Sequence, residues 1–184
     1  MKKAAVIYWS GTGNTEAMAN AVLDGMKSAG ADAVLLTASD VDASAVGGYD
    51  AVALGCPAMG SEVLEDMEFE PMFEGCKSAL KGKCVALFGS YGWGGGEWMQ
   101  NWERDCRSSG IQLACDSVIC NDAPDDAALA ACQALGKALV DLFLSIVPGS
   151  PSGYRYQQQA SSHITSLLFP HSLQQCDTTH IACA

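Results

Sequence analysis

The chain has 184 residues, of which 49% are hydrophobic, and its formal net charge is −11. This length suits one compact domain with a substantial core. Because 21 acidic residues face only 10 lysines and arginines, binding to nucleic acid or to an anionic membrane surface is not expected, since both need basic side chains. The apolar runs are too short for a membrane span or a signal-peptide core, so we expect a cytoplasmic protein with no membrane partner.

Five apolar runs alternate with helical patterns, an order typical of a parallel sheet with helices on both faces. The runs span residues 4–9, 33–36, 49–54, 84–88 and, more weakly, 113–120, where Asp116 and Ser117 interrupt the pattern. Amphipathic periodicity predicts helices over residues 15–29, 65–80, 97–109 and 125–144, and a short helix within 37–48. Pro71 should fall in the first turn of its helix or kink it. These patterns predict an α/β fold with a doubly wound, five-stranded parallel sheet.

The first apolar run leads into its helix through a turn of glycines and small polar residues, Ser10-Gly11-Thr12-Gly13-Asn14-Thr15. The first N–H groups of a helix lack intrahelical partners and carry the positive end of the helix dipole, so such a turn favours a bound phosphate. No lysine or arginine occurs between Lys3 and Lys27, which argues against a nucleotide-triphosphate loop, and Glu16 stands where the dinucleotide fingerprint has its third glycine. The turn therefore predicts one terminal phosphate monoester held by neutral donors. The alternative is an ordinary strand-to-helix turn with good capping residues.

Loop chemistry is distributed unevenly along the chain. Glycine, hydroxyl and aromatic residues crowd after the first, third and fourth runs, whereas the exit from the second run, residues 37–40, has no glycine or aromatic residue. Doubly wound sheets bind ligands at the carboxyl ends of their strands, where the winding direction reverses. Strand order 2-1-3-4-5 places the first, third and fourth runs side by side, so we expect this order and one crevice where the three loops meet.

Three loops resemble those of a known family. Residues 10–15 are similar to the FMN-phosphate loop of the flavodoxin family, and two later stretches resemble its flavin-ring loops, Cys56-Pro57-Ala58-Met59-Gly60-Ser61-Glu62 and Gly89-Ser90-Tyr91-Gly92-Trp93-Gly94. The likeness is to the short-chain flavodoxins of anaerobic bacteria and covers about residues 2–140. It implies a flavodoxin-like fold, with residues 1–147 as an FMN-binding domain and noncovalent FMN as the cofactor.

The expected cofactor site takes residues from all three loops. Met59 and Trp93 lie in loops and not on helical stripes, and we expect them to contact the two faces of the flavin ring, although Met59 as a core side chain is an alternative. Trp93 lies among glycines, so we expect it to be partly exposed. The full predicted set is Ser10, Gly11, Thr12, Gly13, Asn14, Thr15, Pro57, Ala58, Met59, Gly60, Glu62, Ser90, Tyr91, Gly92, Trp93 and Gly94.

Gly60 is the expected mechanistic residue, because a glycine peptide can turn over without Cβ strain. The resemblance implies that the carbonyl before Gly60 swings toward flavin N5 when the one-electron-reduced ring gains a proton there, which would stabilise the neutral semiquinone. The resemblance also places Glu62 near flavin N3 as a hydrogen-bond acceptor. A solvated acid beside Glu65 is the alternative for Glu62.

The resemblance implies a low-potential electron-transfer protein, not an enzyme, that shuttles single electrons between redox enzymes through a neutral semiquinone. Apart from Tyr91, the three loops contain no histidine, lysine or tyrosine that could serve as an acid or base, which favours a carrier over catalysis. The alternative is an FMN-dependent quinone or nitro-reductase of flavodoxin-like fold. It should need a nicotinamide site and a longer chain around the pocket.

Acidic residues cluster after the first ring loop, and they could steer redox partners with basic docking surfaces, such as reductases and ferredoxin-type oxidoreductases. A merely solvated helix face is the alternative. We expect the chain to be a monomer. The residues concerned are Glu62, Glu65, Asp66, Glu68, Glu70 and Glu74.

The composition changes at Pro148, after which glutamine, serine and threonine dominate. We expect residues 148–184 to be a low-complexity tail, either disordered or non-native, with residues 164–169 as a docking segment in the alternative. The three histidines lie in this tail without metal-ligand spacing, and the nine cysteines contain no Cys-x-x-Cys pair. We therefore expect no metal site, and cysteines that are reduced and mostly buried.

Overall fold

A computed structural model describes residues 3–146 of the chain. The predicted tail over residues 148–184 lies outside the described residues. The elements follow in the order β1 (Lys3–Tyr8), α1 (Asn14–Ser28), β2 (Asp32–Thr37), a 3-10 turn (Ala38–Asp40), α2 (Ala43–Gly47), β3 (Ala51–Gly55), α3 (Phe69–Leu80), β4 (Cys84–Tyr91), α4 (Glu97–Ser108), β5 (Gln112–Leu113), β6 (Val118–Asn121) and α5 (Asp126–Ile146).

The strands form one parallel sheet in the order β2-β1-β3-β4, with β5 and β6 both paired to β4. The predicted order 2-1-3-4-5 is thereby confirmed. The register is regular, with Val6 of β1 opposite Leu35 of β2 on one side and Ala53 of β3 on the other. The carboxyl ends of β1, β3 and β4 therefore lie side by side, as the loop chemistry predicted.

The fifth position of the sheet differs from the prediction, because two short strands fill it instead of one. β5 pairs with the start of β4 and β6 pairs with its end. Asp116 and Ser117 lie between them, and the Ser117 hydroxyl donates a hydrogen bond to the Glu103 carboxylate of α4. These polar residues draw the chain out of the ladder, so the sheet has six strands and not five.

Each face of the sheet is covered by helices and has its own apolar core. Along β1, Ala5 and Ile7 belong to the core beneath α3 and α4, whereas Ala4 and Val6 belong to the core beneath α1 and α5. Successive strand side chains point to opposite faces, so a run that is apolar at every position needs cover on both sides. Within the described residues, no helix is both long and apolar enough to span a bilayer.

The predicted helices agree closely with the observed ones, apart from the start of α3. The chain was expected to be helical from residue 65, but α3 begins at Phe69. The Glu65 carboxylate accepts hydrogen bonds from the backbone amides of Met67, Glu68 and Phe69. This side chain holds the preceding residues in a turn, which delays the helix. Pro71 lies in the first turn of α3, as expected.

Helices α1 and α5 pack with their backbones unusually close. A Cβ atom at Gly25 of α1 would lie 2.1 Å from the Gln133 carbonyl oxygen, and one at Gly136 of α5 would lie 2.1 Å from the Val22 carbonyl oxygen. Only glycine permits such an approach. α5 is thereby held directly against the helix that begins at the predicted phosphate loop.

The cysteines that the structure describes are thiols, five of them buried and two, Cys115 and Cys120, half-buried. The prediction of mostly buried thiols is therefore confirmed for this part of the chain. Burial is the main cause that raises the pKa of Cys106 and of Cys132 to about 12, and neighbouring charged groups have smaller effects. Such thiols stay protonated and unreactive at neutral pH.

Candidate functional site

The three predicted loops meet in one cleft of about 390 Å³ at the carboxyl ends of β1, β3 and β4. This volume lies within the range of small-molecule sites in proteins. The expected convergence of the loops is thereby confirmed. The lining residues are Trp9, Gly11, Thr12, Asn14, Pro57, Ala58, Met59, Ser90, Tyr91, Gly92, Trp93 and Asp122.

The first loop leaves the N-terminus of α1 open toward the cleft. Gly13 occupies the N-cap position and has no side chain to cap the helix. The Ser10 hydroxyl accepts a hydrogen bond from the Gly13 amide at 3.1 Å, which folds the loop back on itself. Within residues 3–146, no side chain bonds to the first amides of α1. These amides and the helix dipole form a site for an anion without any cationic side chain.

A contact between the side chains of Thr15 and Ser90 connects the first loop to β4. Both side chains are buried, and their hydroxyl oxygens lie 3.2 Å apart. Ser90 also lines the cleft, whereas Thr15 is almost completely buried at 1% exposure. The hydroxyl of Thr15, predicted to bind the cofactor, thus has a protein partner in this structure.

The two ring loops both line the cleft. The Ala58 amide donates to the Ser90 carbonyl oxygen at 2.9 Å, which joins the exit of β3 to β4. Met59 and Trp93 both line the cleft, and Trp93 is 55% exposed, so its predicted partial exposure is confirmed. Tyr91 is supported from behind by Trp98, with ring centroids 5.4 Å apart. The cleft can therefore offer a thioether and an indole to a flat aromatic group.

Gly60 begins the tip of a tight hairpin. Met59 and Val63 are bonded in both directions, with N···O distances of 2.9 and 3.0 Å. The carbonyl before Gly60, which was expected to swing, is therefore engaged with the Val63 amide. The carbonyl of Gly60 itself accepts a hydrogen bond from Trp93 Nε1 at 3.1 Å. Gly60 has a φ of +50°, a conformation that glycine adopts at little cost.

Glu62 has a position that the sequence did not predict. Its Oε1 accepts hydrogen bonds from the amides of Gly95 and Gly96 at 2.8 and 3.0 Å, and its Oε2 accepts from the amide of Glu97 at 3.0 Å. The carboxylate therefore caps the N-terminus of α4 and is not the solvated acid of the alternative hypothesis. Its predicted role as an acceptor for flavin N3 stays a prediction.

Glu65 is buried at 5% exposure, so it does not belong to the acidic surface that the sequence suggested. Burial raises the pKa of this carboxyl group, but hydrogen bonds from the amides of Phe69, Glu68 and Met67 outweigh burial, and the net pKa is lowered. The remaining acids of that stretch that are exposed are Asp66, Glu68, Glu70 and Glu74.

Sequence reasoning missed two residues of the cleft, Trp9 and Asp122. Asp122 follows β6 and has a left-handed φ of +55°. Its amide donates to the Tyr91 carbonyl oxygen at 2.7 Å, and the side-chain amide of Asn121 donates to the same oxygen at 3.2 Å. The sequence did contain a signal for Asp122, because the weak fifth apolar run ends at the same edge of the sheet as the fourth run. A fourth loop therefore completes the cleft.

The charged groups near the cleft are acidic. Burial raises the pKa of Tyr8, and the neighbouring Glu16 carboxylate, at the first turn of α1, raises it further. Among residues 3–146, no group of three or more histidine, cysteine or acidic side chains is placed to hold a metal ion. The cleft therefore offers neutral hydrogen-bond donors and aromatic surface to a ligand.

Comparison with known proteins gives consistent matches over the described part of the chain. The family model "Flavodoxin" matches residues 6–135. The chain is 47% identical over 133 residues to a flavodoxin of Megasphaera elsdenii, covering 72% of this chain and 95% of the relative. It is 44% identical over 122 residues to a flavodoxin of Clostridium beijerinckii, covering 66% and 88%. The solution structure of the two-electron reduced Megasphaera elsdenii flavodoxin superposes with a TM-score of 0.69, covering 74% of this chain and 98% of that one.

Proposed function

This chain belongs to the flavodoxin family, and on that premise we propose that it is a low-potential electron carrier that binds FMN noncovalently. The observation that carries this proposal is the meeting of three loops in one cleft, which is lined both by the loop at the open N-terminus of α1 and by Met59 and Trp93. A phosphate monoester joined to a flat ring system has both features.

The residues present fit FMN. The amides at the start of α1, with the side chains of Ser10, Thr12 and Asn14, would hold the phosphate through neutral donors and the helix dipole. Met59 and Trp93 would contact the ring, and Tyr91 and Asp122 would complete the wall. Bound FMN supplies the capacity to accept and donate electrons one at a time, which no protein side chain here provides.

We propose that the peptide that responds to the redox state is the one between Gly60 and Ser61. The Met59 carbonyl is bonded within the hairpin to Val63, whereas the Gly60 carbonyl is held by a single bond from the exposed Trp93 side chain. Rotation of the Gly60 peptide therefore breaks fewer bonds. This assignment moves the expected rotation by one peptide and keeps the expected outcome, a stabilised neutral semiquinone.

The proposal of a carrier, and not an enzyme, is supported by the side chains of the cleft. Its lining contains no histidine, lysine or arginine, so the protein has few groups there for general acid–base chemistry. A quinone or nitro-reductase would need such groups or a nicotinamide site. Electron transfer needs only that a partner approach the ring closely, and the exposure of Trp93 marks that side of the cleft as accessible.

The exposed acids after the first ring loop support docking of redox proteins with basic surfaces. Asp66, Glu68 and Glu70 are exposed, and between them Met67 is 79% exposed. An exposed apolar side chain next to acidic residues in the sequence suits a partner with an apolar contact and a basic rim. Charge reversal by Glu68→Lys should slow reduction by a basic reductase at low salt. Asp32→Lys, at the opposite edge of the sheet, should have little effect.

One titration tests the carrier proposal directly. The purified chain is mixed with FMN, cleared of free flavin and reduced stepwise with dithionite while absorbance is recorded. A carrier should retain the yellow flavin and form a stable blue intermediate. A colourless protein that takes up no FMN would refute the cofactor, and rapid bleaching by NADPH alone without a blue intermediate would favour the reductase.

A further inference from the structure

The structure assigns Glu62 a role as a positioning residue that clamps the two ring loops together by capping α4. This inference rests on the proposed function, because it concerns how the same cleft holds a flavin ring. It differs from a direct contact between Glu62 and the flavin, since the carboxylate acts here through the backbone of the opposite loop.

The carboxylate is fully engaged with the opposite loop. Both of its oxygens accept hydrogen bonds, from three consecutive amides at 2.8, 3.0 and 3.0 Å, those of Gly95, Gly96 and Glu97. Hydrogen bonds to an ionised acceptor are stronger than neutral ones. The carboxylate also lies at the N-terminus of the 12-residue α4, where the helix dipole favours a negative charge. The link therefore joins residues more than thirty positions apart.

The backbone at Glu62 is strained in order to reach this position. Glu62 has a φ of +54°, a left-handed conformation that a residue with a long side chain rarely adopts. Such conformations persist where surrounding contacts determine them, and they concentrate at functional sites. The bonds to α4 are the contacts that hold Glu62 in this conformation.

The opposite loop is shaped to receive the carboxylate. A Cβ atom at Gly94 would lie 1.8 Å from Glu62 Oε1, so no larger residue fits there while the clamp is closed. Gly94 also has a φ of +85°. The loop and the side chain are therefore complementary in both space and charge.

A second bond completes the connection on the other side of the turn. Trp93 Nε1 donates to the Gly60 carbonyl oxygen at 3.1 Å. The turn after Met59 is thus fixed at its base by Val63 and at its far end by Glu62, and the peptide between Gly60 and Ser61 is left as its least constrained part. By holding Trp93 near Met59, Glu62 sets the width of the slot for the ring.

The decisive measurement is made on the full-length chain before any FMN is added, because a clamp acts without the ligand and a direct flavin contact does not. Acrylamide quenching of Trp93 fluorescence reports the mobility of its loop. The Trp93 signal is isolated by subtracting the fluorescence of the same protein carrying Trp93→Phe. The other described tryptophans are less exposed than Trp93. We expect Glu62→Ala and Gly94→Ala both to increase quenching of Trp93, since each opens the same link.

Binding measurements separate the clamp from a flavin contact. FMN and its N3-methyl analogue, which lacks the N3–H donor, are titrated into each chain. Loss of the clamp should weaken both ligands by a similar factor, about tenfold or more, since charge-assisted hydrogen bonds are lost. Glu62→Gln keeps an acceptor for Gly95 and Gly96, so it should recover part of the affinity. Asp32→Ala removes an exposed charge at the far edge of the sheet and should change neither the quenching nor the affinity.

Two results would overturn the clamp. One is unchanged Trp93 quenching in Glu62→Ala and Gly94→Ala. The other is an affinity loss for FMN that disappears with the N3-methyl analogue, which would make Glu62 a flavin ligand. If Glu62→Ala fails to fold, Glu62→Gln and Gly94→Ala still test whether the clamp holds the two loops together. If the unaltered chain binds no FMN, the proposed function fails, while the quenching result still judges the clamp.

Discussion

Trp93 donates its indole N–H to the carbonyl oxygen of Gly60 at 3.1 Å, across the mouth of the cleft. One side chain thus lines the cleft and also restrains the peptide that we propose responds to the flavin. These two roles can be separated, because phenylalanine keeps an aromatic face and lacks the donor.

Trp93→Phe should retain most FMN affinity, whereas Trp93→Ala should weaken FMN binding by up to about tenfold, since an aromatic contact contributes ~0.5–1.5 kcal/mol beyond area burial. In Trp93→Phe the Gly60 carbonyl is released, so the first reduction potential should change even though binding does not. Fluorescence titration and potentiometry measure the two effects. Equal affinity in the phenylalanine and alanine chains would show that the ring does not contact the flavin.

Gly60→Ala should lower the yield of one-electron-reduced flavin in a redox titration. A Cβ at this position would meet only Val63 Cγ2 at 3.8 Å, so space is not limiting. The cost is conformational, about 1–2 kcal/mol for an L-residue held at a left-handed φ. Gly95→Ala is a matched control in the opposite loop, where nothing lies within 4 Å of the added carbon. An unchanged yield in Gly60→Ala would count against peptide rotation at this residue.

Ser90→Ala should destabilise the chain by about 1–3 kcal/mol, because it leaves the buried Thr15 hydroxyl without its partner. Adding Thr15→Val should restore part of the loss, since both polar groups are then removed. Urea unfolding of the unaltered protein, the two single variants and the double variant gives the coupling energy between the two side chains. Additive effects of the two substitutions would mean that the hydroxyl pair does not join the first loop to β4.

Glu65→Gln should lower stability by about 1–2 kcal/mol at neutral pH, the range for loss of a helix cap. The folded pKa of Glu65 is lowered below its unfolded value, which is about 4.3 in model peptides. Its stabilising contribution is therefore complete above that unfolded value and is lost as the pH falls through the lowered folded pKa. The unfolding free energies of the unaltered protein and of Glu65→Gln, measured across this pH range, should converge in acid. A difference independent of pH would rule out the charge as its source.

Gly136→Ala should destabilise the fold by about 1–3 kcal/mol or more, because the added carbon would lie 2.1 Å from a backbone oxygen of α1. Gly75→Ala provides the contrast, since Gly75 lies in α3 with nothing within 4 Å of the added carbon. It should stabilise the chain by up to roughly 1 kcal/mol through helix propensity. Thermal or urea unfolding measures the stability of both variants. Equal effects would show that α1 and α5 can move apart without cost.

The features that could be predicted from sequence were those encoded locally. Strand order followed from the chemistry of the loops, because glycine and aromatic residues after Tyr8, Gly55 and Tyr91 mark the strands that flank a ligand. The family resemblance added the expected roles of those loops, and the match to known flavodoxins supports the cofactor. The contacts of individual site residues with FMN stay predictions.

The features that could not be predicted depend on contacts between distant segments. Nothing near Glu62 in sequence indicates that its carboxylate caps a helix beginning at Glu97, and Glu65 resembles any surface acid until its three backbone donors are seen. Where the fifth strand is divided, Ser117 bonds to Glu103 of α4. Asp122 was missed because the run before it is weakly apolar.

The contact of Gly136 with α1 has a consequence for the order in which the protein is made. The anion site begins within the first turn of α1, near residue 14, yet its helix is braced by α5, which starts at Asp126. A growing polypeptide from which α5 has not yet left the ribosome lacks this brace. Binding of FMN should therefore follow translation of α5, even though the residues proposed to hold its phosphate lie far ahead of α5 in the chain.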